Sequence, residues 1–145
     1  MKESQSRSAP PESPDLITEI SLEREGCLGP CPVYSMTLRS DGTALYCGRY
    51  FVPREGQFAG VMPKAEFRRL AALVFNHGFF ALDERYFKPV TDLASVITTV
   101  TAGEYKKVVD NYGRYGPHRL ELLEKAIDRA AARIEWTTIP DDISF

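Results

Sequence analysis

The chain has 145 residues, of which 43% are hydrophobic and 26% are charged, and its formal net charge is −2. This length and composition indicate one globular domain that can bury its own core without several disulfides or a structural metal. An acidic balance argues against general nucleic-acid binding, and no apolar run is long enough to span a membrane. We therefore expect a soluble protein with no nucleic-acid partner and no transmembrane segment.

Residues 1–15 form a polar segment rich in Ser, Pro and Glu. Because this segment has too little apolar surface to offset the entropy lost on ordering, we expect a disordered leader or tether. It lacks the apolar core of a secretory signal, so the chain as given indicates a cytoplasmic protein, or an exported or lipid-anchored one if a signal was removed. A single domain is predicted over residues 16–136, followed by a tail at 137–145.

Alternation of apolar and polar residues predicts four strands in the first half of the chain. These strands cover residues 16–23, 34–39, 43–49 and 58–62. The sequence Ser-Asp-Gly at 40–42 is a hairpin turn signal between the second and third strands.

Apolar residues at helical spacing predict two helices, the first beginning at Pro63 and ending at Gly78, and the second beginning at Pro117. Between them, a β-branched run at residues 96–101 and a return segment at 105–110 predict a second hairpin. The order ββββαββα predicts an α+β domain with a mostly antiparallel sheet of about six strands and two helices packed on one face.

The most unusual chemistry lies in the run Cys27-Leu28-Gly29-Pro30-Cys31-Pro32. Each proline disfavours helical geometry at the residue before it, and nearby glycines allow the chain to fold back tightly. The two sulfurs can therefore come within bonding range, which needs Cα atoms no further apart than about 7 Å. A disulfide that closes so short a ring would stabilise the fold by roughly 2 kcal/mol, which fixes a corner but does not hold a domain together.

Three interpretations of this cysteine pair remain open. A structural corner, with a disulfide or two buried thiols, is favoured. A redox role is less favoured, because the spacing exceeds C-x-x-C by one residue and no helix follows to lower a thiol pKa. A zinc site would require Cys47 and a histidine to converge, yet His77 and His118 show no paired ligand spacing. We therefore predict no metal and no cofactor, and interpret Cys47 as a small side chain in a strand.

Several short motifs together carry a resemblance to a known family. They are Leu22-Glu23-Arg24, Cys27, Gly29, Cys31-Pro32-Val33-Tyr34, Asp41-Gly42-Thr43, Thr91-Asp92, the strand at 98–100 and Tyr112-Gly113. Over most of residues 16–136 the chain resembles a bacterial family catalogued only as a domain of unknown function, with a Cys-x-Gly-x-Cys-Pro-x-Tyr motif. The resemblance implies a small single domain, often exported or lipid-anchored, and brings no activity. Leu28 stands where an aromatic residue is common in such proteins, and Cys47 is outside the pattern.

A polar site is one further hypothesis. Asp92, Asp110, Tyr112 and His118 lie in connections or strand ends that could converge at one edge of the sheet. A carboxylate beside a histidine in a cleft can act as a general acid–base pair, so a small hydrolase-like site around Asp92, Asp110 and His118 is an alternative hypothesis. The favoured alternative for Asp92 is a turn residue that accepts backbone N–H bonds.

One cluster of basic and aromatic residues is also present. Its members are Tyr105, Lys106, Lys107, Tyr112, Arg114, Tyr115, His118 and Arg119. Such a cluster could contact phosphates while its rings stack on bases. A solvated face is favoured, because alternation along a strand exposes lysines and the chain as a whole is acidic.

The sequence contains no glycine-rich phosphate loop, serine nucleophile motif or H-E-x-x-H helix. We therefore predict a non-enzymatic binding or accessory domain with a structural Cys27/Cys31 corner, for which a protein partner is one candidate. The first alternative is a thiol redox or thiol-sensing protein that uses Cys27 and Cys31. The second is the hydrolase-like site described above.

Overall fold

The computed structural model describes residues 9–140, so the first eight residues of the predicted leader and the last five of the predicted tail lie outside the described residues. The strands are β1 (Glu19–Glu25), β2 (Val33–Arg39), β3 (Thr43–Tyr50), β4 (Gly56–Val61), β5 (Arg85–Tyr86), β6 (Ser95–Ala102), β7 (Tyr105–Tyr112) and β8 (Thr137–Thr138). The helices are α1 (Lys64–Asn76) and α2 (His118–Ala132), and single 3₁₀ turns cover Pro14–Leu16 and Phe79–Ala81.

The eight strands form one mixed sheet in the order β5-β7-β6-β1-β2-β3-β4-β8. The prediction of about six mostly antiparallel strands in the order ββββαββα is therefore wrong. β5 lies between α1 and β6 in the chain and pairs in parallel with β7, and β8 follows α2 and pairs with β4. Both missed strands contain two residues, and a two-residue segment shows no alternation for a periodicity argument to detect.

The register of the central strand β1 puts its apolar residues on one face of the sheet. Ile20 lies opposite Leu38 on β2 and Val100 on β6, and the next residue on this face, Leu22, lies opposite Met36. All five of these side chains are buried. The opposite face of β1 carries glutamates and a serine, as expected for an antiparallel sheet with one covered and one open face.

Both helices pack on that covered face and share one core with it. The buried helix residues are Phe67, Leu70, Ala71 and Val74 on α1, and Leu120, Leu123, Glu124, Ile127, Ala130 and Ala131 on α2. α1 ends where Gly78 takes the left-handed conformation, at φ 73°, as the sequence predicts. Within residues 9–140, neither helix combines the length and the hydrophobicity that crossing a bilayer requires.

The chain leaving α2 passes so close to β4 that only glycine fits at position 60. A Cβ added to Gly60 would lie 2.4 Å from Cγ2 of Ile134, a buried residue, and 3.0 Å from the carbonyl oxygen of Glu135. We expect Gly60→Ala to lower the free energy of unfolding by about 1–3 kcal/mol through overpacking, measured by urea denaturation. The matched control is Gly29→Ala, whose Cβ meets no atom closer than 3.9 Å. Equal stability of the two variants would contradict the prediction.

Candidate functional site

The cysteine run forms a closed corner between β1 and β2. Cys27 and Cys31 are joined in a disulfide whose Cα atoms are 5.6 Å apart, and the Cys31 amide donates to the Gly29 carbonyl at 2.9 Å. Of the two forms of the corner left open by the sequence, a disulfide or two buried thiols, the structure has the disulfide. Because β2 begins at Val33, the chain enters a strand after Cys31 and not a helix whose N-terminus could lower a thiol pKa. A redox role for this pair stays a prediction.

Four connections meet at the end of the sheet that carries the disulfide, and we call them together the loop end. They are residues 26–32, 51–55, 87–94 and 113–117. The antiparallel order of the sheet places them together, because β1 and β3 finish at this end, β2, β4 and β6 start there, and β7 finishes beside them.

Contacts between the connections make the loop end continuous. The Leu28 amide in the disulfide corner donates to the Asp92 carbonyl at 3.3 Å. The Lys88 ammonium lies 4.9 Å from the centroid of the Tyr115 ring, which joins the third connection to the fourth. The end of β3 is paired with the start of β2, directly after the disulfide. The loop end is therefore one surface and not four separate loops.

Exposed large hydrophobic side chains are concentrated on this surface. Six of the ten large hydrophobic side chains that are exposed within residues 9–140 lie in the loop end or at its border. They are Leu28, Tyr50, Phe51, Phe87, Val90 and Tyr115. Leu28 is 80% exposed although it sits in the disulfide-closed corner, and Phe51 has a left-handed φ of 56°, which is uncommon for an aromatic residue. An exposed cluster of this kind is typical of interaction surfaces.

The predicted polar-site residues lie near this end, but each has its own partners. The Tyr112 hydroxyl donates to the Val90 carbonyl and accepts from the Leu93 amide at 3.2 Å, so it holds the third connection in place. Asp92 has a left-handed φ of 67° and is contacted through its carbonyl and not its carboxylate.

Asp110 and His118 are paired elsewhere. The Asp110 carboxylate lies 3.7 Å from the Arg85 guanidinium, and its Oδ1 atom is buried without a hydrogen bond among the described residues. His118 Nδ1 lies 3.8 Å from the Glu121 carboxylate. No contact within residues 9–140 joins Asp92, Asp110 and His118. A hydrolase-like site around these three residues stays a prediction, and no contact between them supports it.

A polar cluster that sequence reasoning missed lies between the sheet and α2. Arg24 donates from Nη2 to Asp128 Oδ2 at 2.6 Å and from Nε to the Tyr34 hydroxyl at 2.7 Å, while that hydroxyl donates to Asp128 Oδ1 at 2.6 Å. The three side chains satisfy one another in a closed ring. Burial, together with the hydrogen bond to Asp128, raises the pKa of Tyr34, so this phenol stays protonated and is not poised as a base.

A buried polar pair lies on the same side of α2. Glu124 is 3% exposed and accepts a hydrogen bond from the Asn111 amide group at 2.8 Å. The Asn111 side-chain oxygen accepts from the Gly116 amide at 2.8 Å, which ties the fourth connection of the loop end to the core. Burial raises the pKa of Glu124.

The residues considered for a metal do not come together. Within the described part of the chain, no group of three or more His, Cys, Asp or Glu side chains could hold a metal ion. Cys47 is a free thiol in β3, opposite Ser35 on β2, and His77 contacts the Leu73 carbonyl through Nδ1 at 3.0 Å.

The predicted basic-aromatic cluster is divided between two places. Lys106 and Lys107 lie in β7 towards the end opposite the loop end. Arg114 forms an ion pair with Glu121 at 2.6 Å, and Arg119 donates to the His77 carbonyl at 3.3 Å. These arginines therefore support local structure around α2.

The family model of a domain of unknown function, DUF6438, matches residues 18–131. The chain belongs to this family. The predicted family assignment is thus confirmed at the level of a domain of unknown function, whereas the cysteine motif as a family feature and the bacterial origin stay predictions. A search of curated proteins finds no match to this chain. The matched range contains the disulfide corner, the loop end and the Arg24–Tyr34–Asp128 ring.

Sequence signals for the missed groups were weak for identifiable reasons. Arg24 and Asp128 are 104 positions apart, and each occurs in a segment with several other charged residues. The only signal in the sequence was the place of Arg24 in β1, because alternation puts this residue on the same covered face as the apolar residues before it. Tyr50 and Phe51 extend a β-prone run, and pattern alone did not show that the strand ends there.

Removing the negative charge of the half-buried Arg24–Tyr34–Asp128 ring should destabilise the fold. We expect Asp128→Asn to lower the free energy of unfolding by about 1–3 kcal/mol, because it leaves the half-buried Arg24 guanidinium without its counter-charge. Urea denaturation measures this. The control is Glu19→Gln, which breaks the more exposed pair with Arg39 and should change stability by less than about 1 kcal/mol. A loss for Asp128→Asn no larger than that of the control would contradict the prediction.

Two glutamates one turn apart on α2 should show opposite pH dependence. Burial raises the pKa of Glu124 above 4.5, so the folded chain binds that proton more tightly than the unfolded chain. The stability it contributes is present at low pH and is lost as pH rises from 4.5 through the folded pKa. The unfolding free energy of Glu124→Gln minus that of the wild type should therefore increase between about pH 4 and pH 7.

The control for this slope is Glu121→Gln. The hydrogen bond from Arg114 lowers the pKa of Glu121, so the stability contributed by Glu121 is present above its unfolded pKa and is lost as pH falls. The same difference should therefore decrease with rising pH for Glu121→Gln. Urea denaturation at several pH values measures how each difference in unfolding free energy changes with pH. Changes of the same sign for the two variants would contradict a raised pKa for Glu124 and a lowered pKa for Glu121.

Proposed function

We propose that this chain is a non-enzymatic binding domain that holds a protein partner through the loop end. The observation that carries the proposal is the concentration of six exposed large apolar side chains on one continuous surface. Aromatic residues and leucine that stand in solvent are costly unless a partner covers them, and tyrosine is enriched at protein interfaces. The loop end meets this description with Tyr50, Phe51, Phe87 and Tyr115.

Three of the four connections of the loop end are held by covalent or hydrogen bonds within the chain itself. The disulfide closes the corner under Leu28, the Tyr112 hydroxyl fixes the third connection from both sides, and Asn111 fixes the fourth. Rigid binding surfaces lose less conformational entropy on association. This is a reason to place a short disulfide here even though it contributes little to global stability.

The groups with acid–base chemistry support binding over catalysis. Asp128 accepts from both Arg24 and Tyr34, and Glu124 is buried against Asn111. These carboxylates hold α2 against the sheet, Glu124 from a buried position and Asp128 from a partly exposed one. Their geometry supports a scaffold under the loop end, and the carboxylate that His118 contacts is that of Glu121, which also pairs with Arg114 on the surface of α2.

The test uses a photo-crosslinking residue placed at one of two equally exposed positions. Leu28 is 80% exposed in the loop end, and Val61 is 77% exposed at the end of β4, away from the loop end. We expect crosslinking in the native cell extract to give a defined partner from position 28 and none from position 61. The same products from both positions would contradict the proposal.

Binding of the purified partner then measures the contribution of each side chain. We expect Leu28→Ser and Phe51→Ser each to weaken the affinity by about tenfold, and Val61→Ser to leave it unchanged. The double variant Cys27→Ser/Cys31→Ser should unfold with a free energy lower by roughly 2 kcal/mol and bind more weakly while still folded. Unchanged affinity in all of these variants would overturn the assignment of the loop end.

A further inference from the structure

The edge of the sheet at β7 is only half covered. β5 pairs with Asp110 and Asn111 near the C-terminal end of β7 and contributes no further residues to this pairing. The five preceding residues, 105–109, have no strand beside them on the outer side among the described residues. This stretch is roughly 17 Å of open strand edge.

The hydrogen-bonding groups of this open edge point outward. The Asp110 amide donates away from β6 to the Glu84 carbonyl at 2.9 Å. Outward-pointing groups occur at every second residue of an antiparallel strand, so the amides and carbonyls of Val108 and Lys106 point outward as well. They are placed where an added strand would continue the ladder that β5 begins.

A groove of about 600 Å³ lies along this edge. Its lining residues are Glu84, Arg85, Tyr105, Lys106, Lys107, Val108 and Asp110. The Tyr105 ring packs on Phe80 with centroids 5.9 Å apart, which gives the groove a fixed wall at its far end. Space and backbone partners for an extended segment are therefore present at the same place.

The side chains indicate what kind of segment fits. Lys106 and Lys107 are neighbours in a strand, so they point to opposite faces, and an added strand would have a lysine beside each of its own faces. Arg85 is already paired with Asp110, whereas no ion pair of either lysine is found among the described residues. Val108 is exposed next to Lys106 on the open face and offers an apolar neighbour.

We propose that the free edge of β7 binds an extended acidic peptide by strand addition. Lysines on an edge strand also prevent two copies of a protein from pairing, because an antiparallel pair of identical edges would bring Lys106 and Lys107 against their equivalents. The same charges attract a segment that carries glutamates or aspartates at adjacent positions. This binding is separate from the loop end, which lies beyond the other end of β7.

The probe is the fluorescein-labelled peptide Thr-Thr-Val-Glu-Glu-Val-Thr-Thr, and fluorescence anisotropy measures its binding to the full chain at low ionic strength. We expect saturable binding that weakens as salt is added. N-methylation of one alternate set of peptide amides should abolish binding, whereas methylation of the other set should leave it within about threefold, because strand addition uses every second amide. The proposal would be overturned if both methylated peptides bound with the affinity of the unmethylated peptide, or if the unmethylated peptide showed no saturable binding.

Protein variants supply the second measurement. Lys106→Glu/Lys107→Glu should weaken binding by at least about tenfold, and a probe with both glutamates replaced by lysine should then bind this variant better than the wild type. Val108→Pro removes one outward amide and should weaken binding, while Val108→Thr keeps that amide and should not. Circular dichroism checks that each variant is folded. Charge reversal without effect on either probe would overturn the acidic specificity.

Leu28→Ser separates this proposal from the role of the loop end. The variant should bind the acidic probe like the wild type, since Leu28 lies in the disulfide corner and does not line the groove. Loss of probe binding in Leu28→Ser would place the peptide at the loop end and overturn the assignment to β7.

Discussion

The register of β1 between β2 and β6 is the constraint on which the other features depend. It puts Ile20, Leu22 and Arg24 on the covered face, each beside its counterparts on both neighbours. A shift by one residue would move this whole set to the open face and bury glutamates instead. The same register brings Arg24 under α2, and a guanidinium at that depth needs an anion. Asp128 supplies that anion and the neutral Tyr34 hydroxyl accepts a further hydrogen bond from Arg24, so the position of α2 is tied to the centre of the sheet by charge as well as by packing.

The two surfaces that we assign to binding arise from the way this sheet ends. At the loop end, four connections contain exposed aromatic and aliphatic side chains on a frame of backbone hydrogen bonds and one disulfide. At the β7 edge, the short strand β5 leaves backbone groups unpaired beside two lysines. The first surface offers apolar area and the second offers hydrogen bonds with charge, so they suit partners of different chemistry.

Sequence reasoning located the long elements because their periodicity is strong. Four of the six longer strands overlap the segments predicted from alternation, and the other two overlap the predicted β-branched run and its return segment. Both helices begin directly after the prolines that the sequence marks. The α+β label fits, while the strand number and order do not. β5 and β8 are defined by their neighbours and not by their own residues, since a two-residue pairing such as Arg85 with Asp110 depends on how the chain returns from α1. Local pattern contains no information about that return.

The candidate site was predictable only where it is local. Cys27 and Cys31 are four residues apart, so steric reasoning about one loop was enough to predict that a bond between them is possible, with two buried thiols as the alternative. The assembly of Leu28 with the loops that contain Phe51, Phe87 and Tyr115 depends on strand order, which places distant connections at one end of the sheet. The disulfide is a local feature whose effect depends on the assembly of the whole sheet. Its closure stabilises the fold by roughly 2 kcal/mol, which is small compared with the free energy gained by burying the core. Its main physical effect is therefore to restrict the conformation of one corner of the loop end, a surface that exists only because the strand order brings four connections together.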